Sequence, residues 1–159
     1  YEIVSRDWSS DVCSSDLTDL GDSILTAIVV APFLSRPVRF VGLDRLRVQE
    51  CDRVAALHEG LTACGARVEM LGDDLLVHPA PPWTMHGATI ETYEDHRIAM
   101  CFATIGLFLP GMVIRGPACV SKTFPNFFQK LAAPAPEGLG ATFRDAATGQ
   151  DVPIEALGA

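Results

Sequence analysis

Sliding the chain along itself by 74 positions lays His96 on Asp22, Ile98 on Ile24 and Phe102 on Ile28. Gly111 then falls on Pro37, Ile114 on Phe40, Gly116 on Gly42 and Leu131 on Leu57. The match is one of pattern more than identity, and it needs no gap over more than about thirty residues. A period of this kind restricts the fold to one that lays down the same piece twice. The piece reads as helix, strand, loop and helix, with extra strands between the copies. Asp22 and His96 then occupy equivalent places, each at the start of a buried helix.

The elements follow from local spacing. DSILTAIVVAPFL reads as a helix with Asp22 at its N-cap and Pro32 near its end. PVRFVG alternates as a strand, LDRLRVQECDR is expected to be a charged loop, and ECDRVAALHEGLTACG is a helix closed by Gly65. ARVEML and DLLVHP are two strands joined by a turn at Gly72, Asp73 and Asp74. After the loop PAPPWTMHG comes a strand, ATIETY, which leads into DHRIAMCFATIGLFL. In that segment Ile98, Met100, Cys101, Phe102 and Ile105 fill nearly all faces, so the helix should be buried. Beyond Leu131, AAPAPEGLGA reads as a linker, and ATFRDAATGQDVPIEAL as a small hairpin about Thr148-Gly149.

Charge and composition exclude several classes of function. Twenty carboxylates against 12 Lys and Arg leave a net charge of −8, which is unsuited to a nucleic-acid surface. No apolar run reaches the roughly 18 residues that a membrane span needs. The five cysteines have no CxxC spacing, and no His pair stands at ligand distance, so neither zinc nor another metal is expected. Cys51, Cys64 and Cys101 read as buried thiols of a reducing cytoplasm. YEIVSRDWSSDVCSSDL, residues 1–17, has no apolar periodicity and repeats SSD. It reads as a translated sequencing adapter and is set aside, so the native chain is expected to begin near Thr18, within a longer protein. The expected organisation is therefore 1–17 adapter-derived, 18–131 a domain, and 132–159 linker and tail.

Three junctions share one design, a polar turn with a cation running into a helix. They are Glu50 to Arg53, Asp95 to Arg97, and Lys122-Thr123 ahead of a helix that Pro125 helps start. Helix starts favour anions, and Arg grips carboxylate or phosphate with two parallel hydrogen bonds. Acidic neighbours Glu50, Asp52 and Asp95 offer the competing reading, in which each cation is simply paired within the protein. Three such junctions in one short chain favour a ligand with several negative charges. Asp22 and His96 are the acid–base candidates, against the plainer readings of a cap and a structural histidine. His58, His78 and His86 read as surface or strand residues without a role.

TYEDHRIAMCF, CVSKTFPNFF, and RVQECDRVAAL followed by GARVE resemble the C-terminal part of the EPSP synthases, over about residues 18–131. The resemblance implies an α+β fold, part of one domain built from repeated βαβαββ units in an inside-out α/β barrel. It implies transfer of the enolpyruvyl group of phosphoenolpyruvate to the 5-hydroxyl of shikimate 3-phosphate, with release of phosphate and without metal or organic cofactor. By motif, Asp22 matches the base and a contact to the shikimate phosphate. Glu50 matches a carboxylate of proton transfer with His96 beside it, and Arg53, Arg97 and Lys122 match the phosphoenolpyruvate clamp. The family is cytoplasmic and expected to be monomeric, with no nucleic-acid or membrane partner.

Two departures bear on the acceptor. Gln49 stands where the family usually has a Lys that contacts the shikimate ligand, and Arg45 stands where it usually has Asn. Arg45 offers a cation from a different backbone position. A paralogue acting on another cyclic alcohol is therefore a second reading, and a non-catalytic binder of an anionic metabolite a third. Asp22 and Glu50 speak against the third, since a pure anion binder gains nothing from carboxylates beside its ligand. The N-terminal domain of the family is absent, so the chain alone is expected to be inactive and to expose apolar surface.

Overall fold

The computed structural model describes residues 21–81 and 83–157. The fold is α+β. Helix α1 is Ile24–Val30, entered through a 3-10 turn at Gly21–Ser23 and extended by another at Ala31–Phe33, where Pro32 ends the α-helical pattern. Strand β1 is Val38–Phe40 and helix α2 is Arg53–Ala63. Strands β2, Val68–Leu71, and β3, Asp74–Val77, form a hairpin. Strand β4, Thr89–Ile90, precedes helix α3, His96–Gly106, then strand β5, Val113–Ile114, and helix α4, Phe127–Ala132.

Two small sheets result. In the first, β3 lies between β1 and β2 and pairs antiparallel with both, so that Val77 faces Val38 on one side and Val68 on the other. In the second, β4 and β5 run parallel with Thr89 opposite Val113, joined by the α3 crossover that parallel strands require.

Helix α3 is the shared wall. Its Ile98, Cys101, Phe102 and Ile105, spaced as one helical stripe, enter a core with Leu25, Ile28, Val54, Leu57, Leu75 and Ile90. Ala99 and Ala103, on another face, pack against Val120, Phe127, Phe128 and Leu131 in a second core. Phe102 is completely buried, a burial worth about 1.5–3 kcal/mol for a side chain of its kind. α2 approaches α3 so closely at Gly60 that a Cβ there would stand 2.3 Å from Phe102 Cζ. That close contact sets the spacing of the two helices whose N-termini carry Arg53 and Arg97.

The 74-residue repeat is visible as geometry. The order α1, β1, 3-10 helix Asp44–Val48, α2 returns as α3, β5, 3-10 helix Pro117–Lys122, α4. Several expectations need correction. Asp22 is no N-cap: Ser23 holds that position, and the Asp22 carboxylate turns to two arginines instead. The stretch read as a charged loop contains a 3-10 helix because Leu46, buried, pulls it onto the core. β4 covers only two residues of the strand expected at ATIETY. The supposed linker is not free, since Leu139 N–H and Ala141 N–H donate to the Leu131 carbonyl and close the end of α4. Phe143 follows and meets Phe128 edge-on at 5.6 Å. An antiparallel bridge between Arg144 and Asp151 matches the expected hairpin. Residues 1–17, read as adapter-derived, lie outside the described residues. Among the described residues no helix is long and apolar enough to cross a membrane.

Candidate active site

The site is assembled at the N-termini of α2 and α3. Asp52 caps α2 by accepting from Ala55 N–H at 3.0 Å, which delivers Arg53 as the first helical residue. Asp95 caps α3 with one carboxylate oxygen, accepting from Arg97 N–H at 2.8 Å and Ile98 N–H at 3.4 Å. The same carboxylate takes the Arg53 guanidinium, with Nε to Oδ2 at 2.7 Å and a longer contact from the terminal nitrogen to Oδ1 at 3.4 Å. Both side chains are buried, at 3% and 0% exposure.

Arg53 has further partners. Its other terminal nitrogen donates to Asp22 Oδ1 at 3.0 Å and to Gln49 Oε1. Arg97 reaches the second oxygen of Asp22 at 2.7 Å. The Asp22 carboxylate thus bridges two guanidinium groups, and at 32% exposure it remains within reach of solvent. Burial works against the charge on Arg53, but Asp95 and Asp22 together hold its pKa above the ordinary value. Burial would raise the pKa of Asp95, yet the Arg53 hydrogen bond and the Arg97 N–H outweigh it, leaving the carboxyl below its usual range.

Beside this cluster, His96 Nδ1 lies 3.1 Å from Glu50 Oε2, and its Nε2 is buried without a hydrogen-bond partner. Donor atoms of Glu50, Asp95 and His96 lie within 4.8 Å of one another, a grouping that could hold a metal ion and that residue spacing alone did not suggest. Asp95 already spends both oxygens on Arg53 and the helix N–H groups, so a guanidinium stands where a metal would need that carboxylate. Lys122 Nζ donates to the Glu94 carbonyl at 3.4 Å, next to Asp95 in the chain.

Asp22, Gln49, Arg53 and Arg97 therefore form one bonded network. Glu50 and His96 pair beside it, and Lys122 attaches through Glu94. Arg45 is exposed on the 3-10 helix Asp44–Val48. Sequence reading understated Asp95, which holds Arg53 while capping α3. It gave no sign of Tyr93, whose hydroxyl donates to Glu59 at 2.7 Å, or of Thr92, whose buried hydroxyl donates to the Arg115 carbonyl at 2.7 Å. An aromatic beside a polar turn has no local signature for such a long-range bond.

Fold and site together describe a repeat-built α+β domain with arginines and carboxylates converging at paired helix starts. The chain belongs to the EPSP synthase family: the profile of EPSP synthase (3-phosphoshikimate 1-carboxyvinyltransferase) matches residues 2–131. That match extends into the segment set aside as adapter-derived. The chain is 50% identical over 122 residues to the 3-phosphoshikimate 1-carboxyvinyltransferase of Pseudomonas syringae pv. tomato, covering 74% of this chain and 29% of that protein. It is 47% identical over 134 residues to that of Rhizobium etli, covering 82% of this chain and 30% of the relative. Among solved structures, an EPSP synthase from Acinetobacter baumannii superposes with a TM-score of 0.68 at 27% identity, over 76% of this chain and 28% of that one. The chain thus spans about three-tenths of the length of these relatives.

Proposed function

We propose that this chain supplies one wall of an enolpyruvyl-transfer site. In the complete protein, the 5-hydroxyl of shikimate 3-phosphate gives up its proton as its oxygen adds to C2 of phosphoenolpyruvate and the methylene gains a proton. The methyl group so formed then loses a proton as the bond from C2 to the phosphate oxygen breaks. The observation that carries this reading is the Asp22 carboxylate held between Arg53 and Arg97. Two guanidinium groups that converge on one carboxylate can equally receive a carboxylate or phosphate from a ligand. Arg53, Arg97 and Lys122 are assigned to that anion. Asp22 is assigned to the acceptor hydroxyl, and Glu50 with His96 to the methylene proton. The chain's residues take these roles without a metal or organic cofactor. The parent is taken to be monomeric, and a cytoplasmic setting fits buried free thiols such as Cys64 and Cys101.

Gln49 supports a second reading of the acceptor. Its side-chain oxygen is engaged by Arg53, although the residue itself is exposed. A cyclic alcohol other than shikimate 3-phosphate is the alternative acceptor, with Arg45 as its candidate cation.

The test is a chimera in which residues 18–131 replace the matching stretch of the Pseudomonas syringae relative. Phosphate release from phosphoenolpyruvate should depend on shikimate 3-phosphate, and Arg97→Ala should lower it by about a hundredfold or more. A folded chimera that turns over only with another cyclic alcohol would establish the second reading. One that binds phosphoenolpyruvate and turns over no acceptor would overturn both. The 159-residue chain by itself should release no phosphate, because half a cleft cannot exclude water or orient two substrates.

A further inference from the structure

Two consecutive residues other than glycine, Tyr93 and Glu94, have φ angles of 53° and 57°. Left-handed backbone is disfavoured for L residues by contact of Cβ with the following carbonyl oxygen. It persists where the surroundings impose it, and such residues gather at sites where geometry is used. Here the turn leads directly into Asp95.

Four bonds restrain the turn. The Thr92 hydroxyl donates to the Arg115 carbonyl at 2.7 Å, and Asp95 N–H closes the turn onto the Thr92 carbonyl at 2.9 Å. Lys122 Nζ donates to the Glu94 carbonyl at 3.4 Å. The fourth runs from the Tyr93 hydroxyl to Glu59 Oε2 at 2.7 Å. Glu59 belongs to α2, the helix that begins with Arg53. The turn before α3 and the helix α2 are therefore tied twice, by the buried Arg53–Asp95 pair and by the exposed Tyr93–Glu59 bond. The small residues Ala56, Gly60 and Ala63 line the cleft beside the Tyr93 ring. Tyr93 is 46% exposed, so its ring adds little to either core.

We propose that Tyr93 is a positioning residue: its bond to Glu59 holds the left-handed Tyr93–Glu94 turn in register, which fixes the Asp95 carboxylate against Arg53 and sets the direction of Arg97. What is positioned is the anion site of the preceding proposal, and the inference rests on that reading for its use in catalysis. The geometric part stands separately. Only the middle of the turn carries the unfavourable backbone, and Tyr93 supplies the side-chain tether there.

The experiment uses the whole chain for amide hydrogen exchange read by NMR, and the chimera of the preceding proposal for titration with phosphoenolpyruvate. Tyr93→Phe should speed exchange of the Arg97 and Ile98 amides about tenfold, leaving Leu57 and Leu61 within α2 unchanged. It should shift the Arg53 Nε–H resonance. Adding Glu94→Gly, which removes the Cβ at one of the two left-handed positions, should restore a measurable part of both readouts without restoring the tether. Glu59→Gln, which keeps an acceptor oxygen, should be mild. Unchanged exchange at Arg97 and Ile98 in Tyr93→Phe would overturn the proposal. So would faster exchange throughout α2 and β3, or failure of Glu94→Gly to rescue. The predicted difference between Tyr93→Phe and the wild-type chain, together with a folded chimera that binds no phosphoenolpyruvate, supports the positioning role and counts against the anion reading alone.

Discussion

Arg53 and Asp95, 42 positions apart in sequence, meet at 2.7 Å with both side chains out of contact with water. Each begins or caps a different helix, so the pair welds the N-terminus of α2 to that of α3. The one terminal nitrogen left over from this contact faces both Asp22 and Gln49. A structural ion pair and a candidate anion site thus share one arginine.

Removing one partner should therefore cost more than the pair itself contributes. Arg53→Leu leaves Asp95 buried and uncompensated, with an expected loss of about 3–5 kcal/mol in urea denaturation. Arg53→Leu with Asp95→Leu removes both charges and should recover a large part of that loss, although the Asp95 cap is gone, at about 1 kcal/mol. Equal destabilisation by the single and double variants would show that the pair does not act as described.

Asp95 also predicts the acid limb of stability. Its folded-state pKa is below the unfolded value, since Arg53 and the Arg97 and Ile98 N–H groups favour the ionised form against the cost of burial. The folded state then binds a proton less readily than the unfolded one. The stabilisation is complete above the unfolded carboxylate pKa and disappears as pH falls through the lower folded value. Denaturation midpoints should decline below about pH 4, where unfolded aspartates take up protons. In Asp95→Asn the midpoint should start lower and decline less over the same range. Parallel curves for the two proteins would assign the acid sensitivity elsewhere.

Asp22 competes with any incoming anion for Arg53 and Arg97. Asp22→Asn removes that competition, and calorimetric titration with phosphoenolpyruvate should show tighter binding. Asp22 and Arg97 are both about one-third exposed, so solvent screens the contact. Pairs of this kind contribute about 0.2–1 kcal/mol, and the gain should be no more than about fivefold. In the chimera the same substitution should abolish turnover, because the assigned base is lost. Weaker binding by Asp22→Asn would mean that the arginines need Asp22 to hold them in place.

How much of this was legible in the chain depends on the distance over which each feature is specified. The apolar stripe of α3, the alternation of β1 and the turn between β2 and β3 are local, and the sequence carries them in spacing alone. The repeat was visible for the same reason, since each copy keeps its own pattern. Asp22 looked like a cap because a carboxylate before an apolar run usually is one. Its real partners lie 31 and 75 positions away, and the attraction of two arginines outweighs one helix N–H. The 3-10 helix at Asp44–Val48 is specified by one buried leucine, too little for a periodic signal. Proline and glycine made 132–141 read as a linker, although the N–H groups of Leu139, Gly140 and Ala141 return to the end of α4. Tyr93 could not be read at all, because positive φ in an aromatic residue is imposed from outside it.

Cys51 offers a last test, because its neighbours suggest reactivity and its environment denies it. The thiol sits two residues before Arg53, and a nearby cation ordinarily favours thiolate. Its Sγ, however, lies 3.6 Å from Asp95 Oδ2 and donates to it. Burial raises its pKa most, the Asp95 charge adds to this, and Arg53 only partly opposes them, so the thiol is pushed up to about 12. From the ordinary 9.0, that shift leaves about a thousandfold less thiolate at neutral pH. Site-resolved mass spectrometry after iodoacetamide treatment at pH 7.5 should find Cys51 almost unmodified in the folded chain and fully alkylated in urea. Cys64, raised to about 11 by burial, should behave in the same way. In Asp95→Asn, where one of the causes is removed and Asp22 remains as the partner of Arg53, Cys51 labelling should accelerate while Cys64 stays inert. Rapid labelling of Cys51 in the unaltered chain would mean that Asp95 is not oriented toward it.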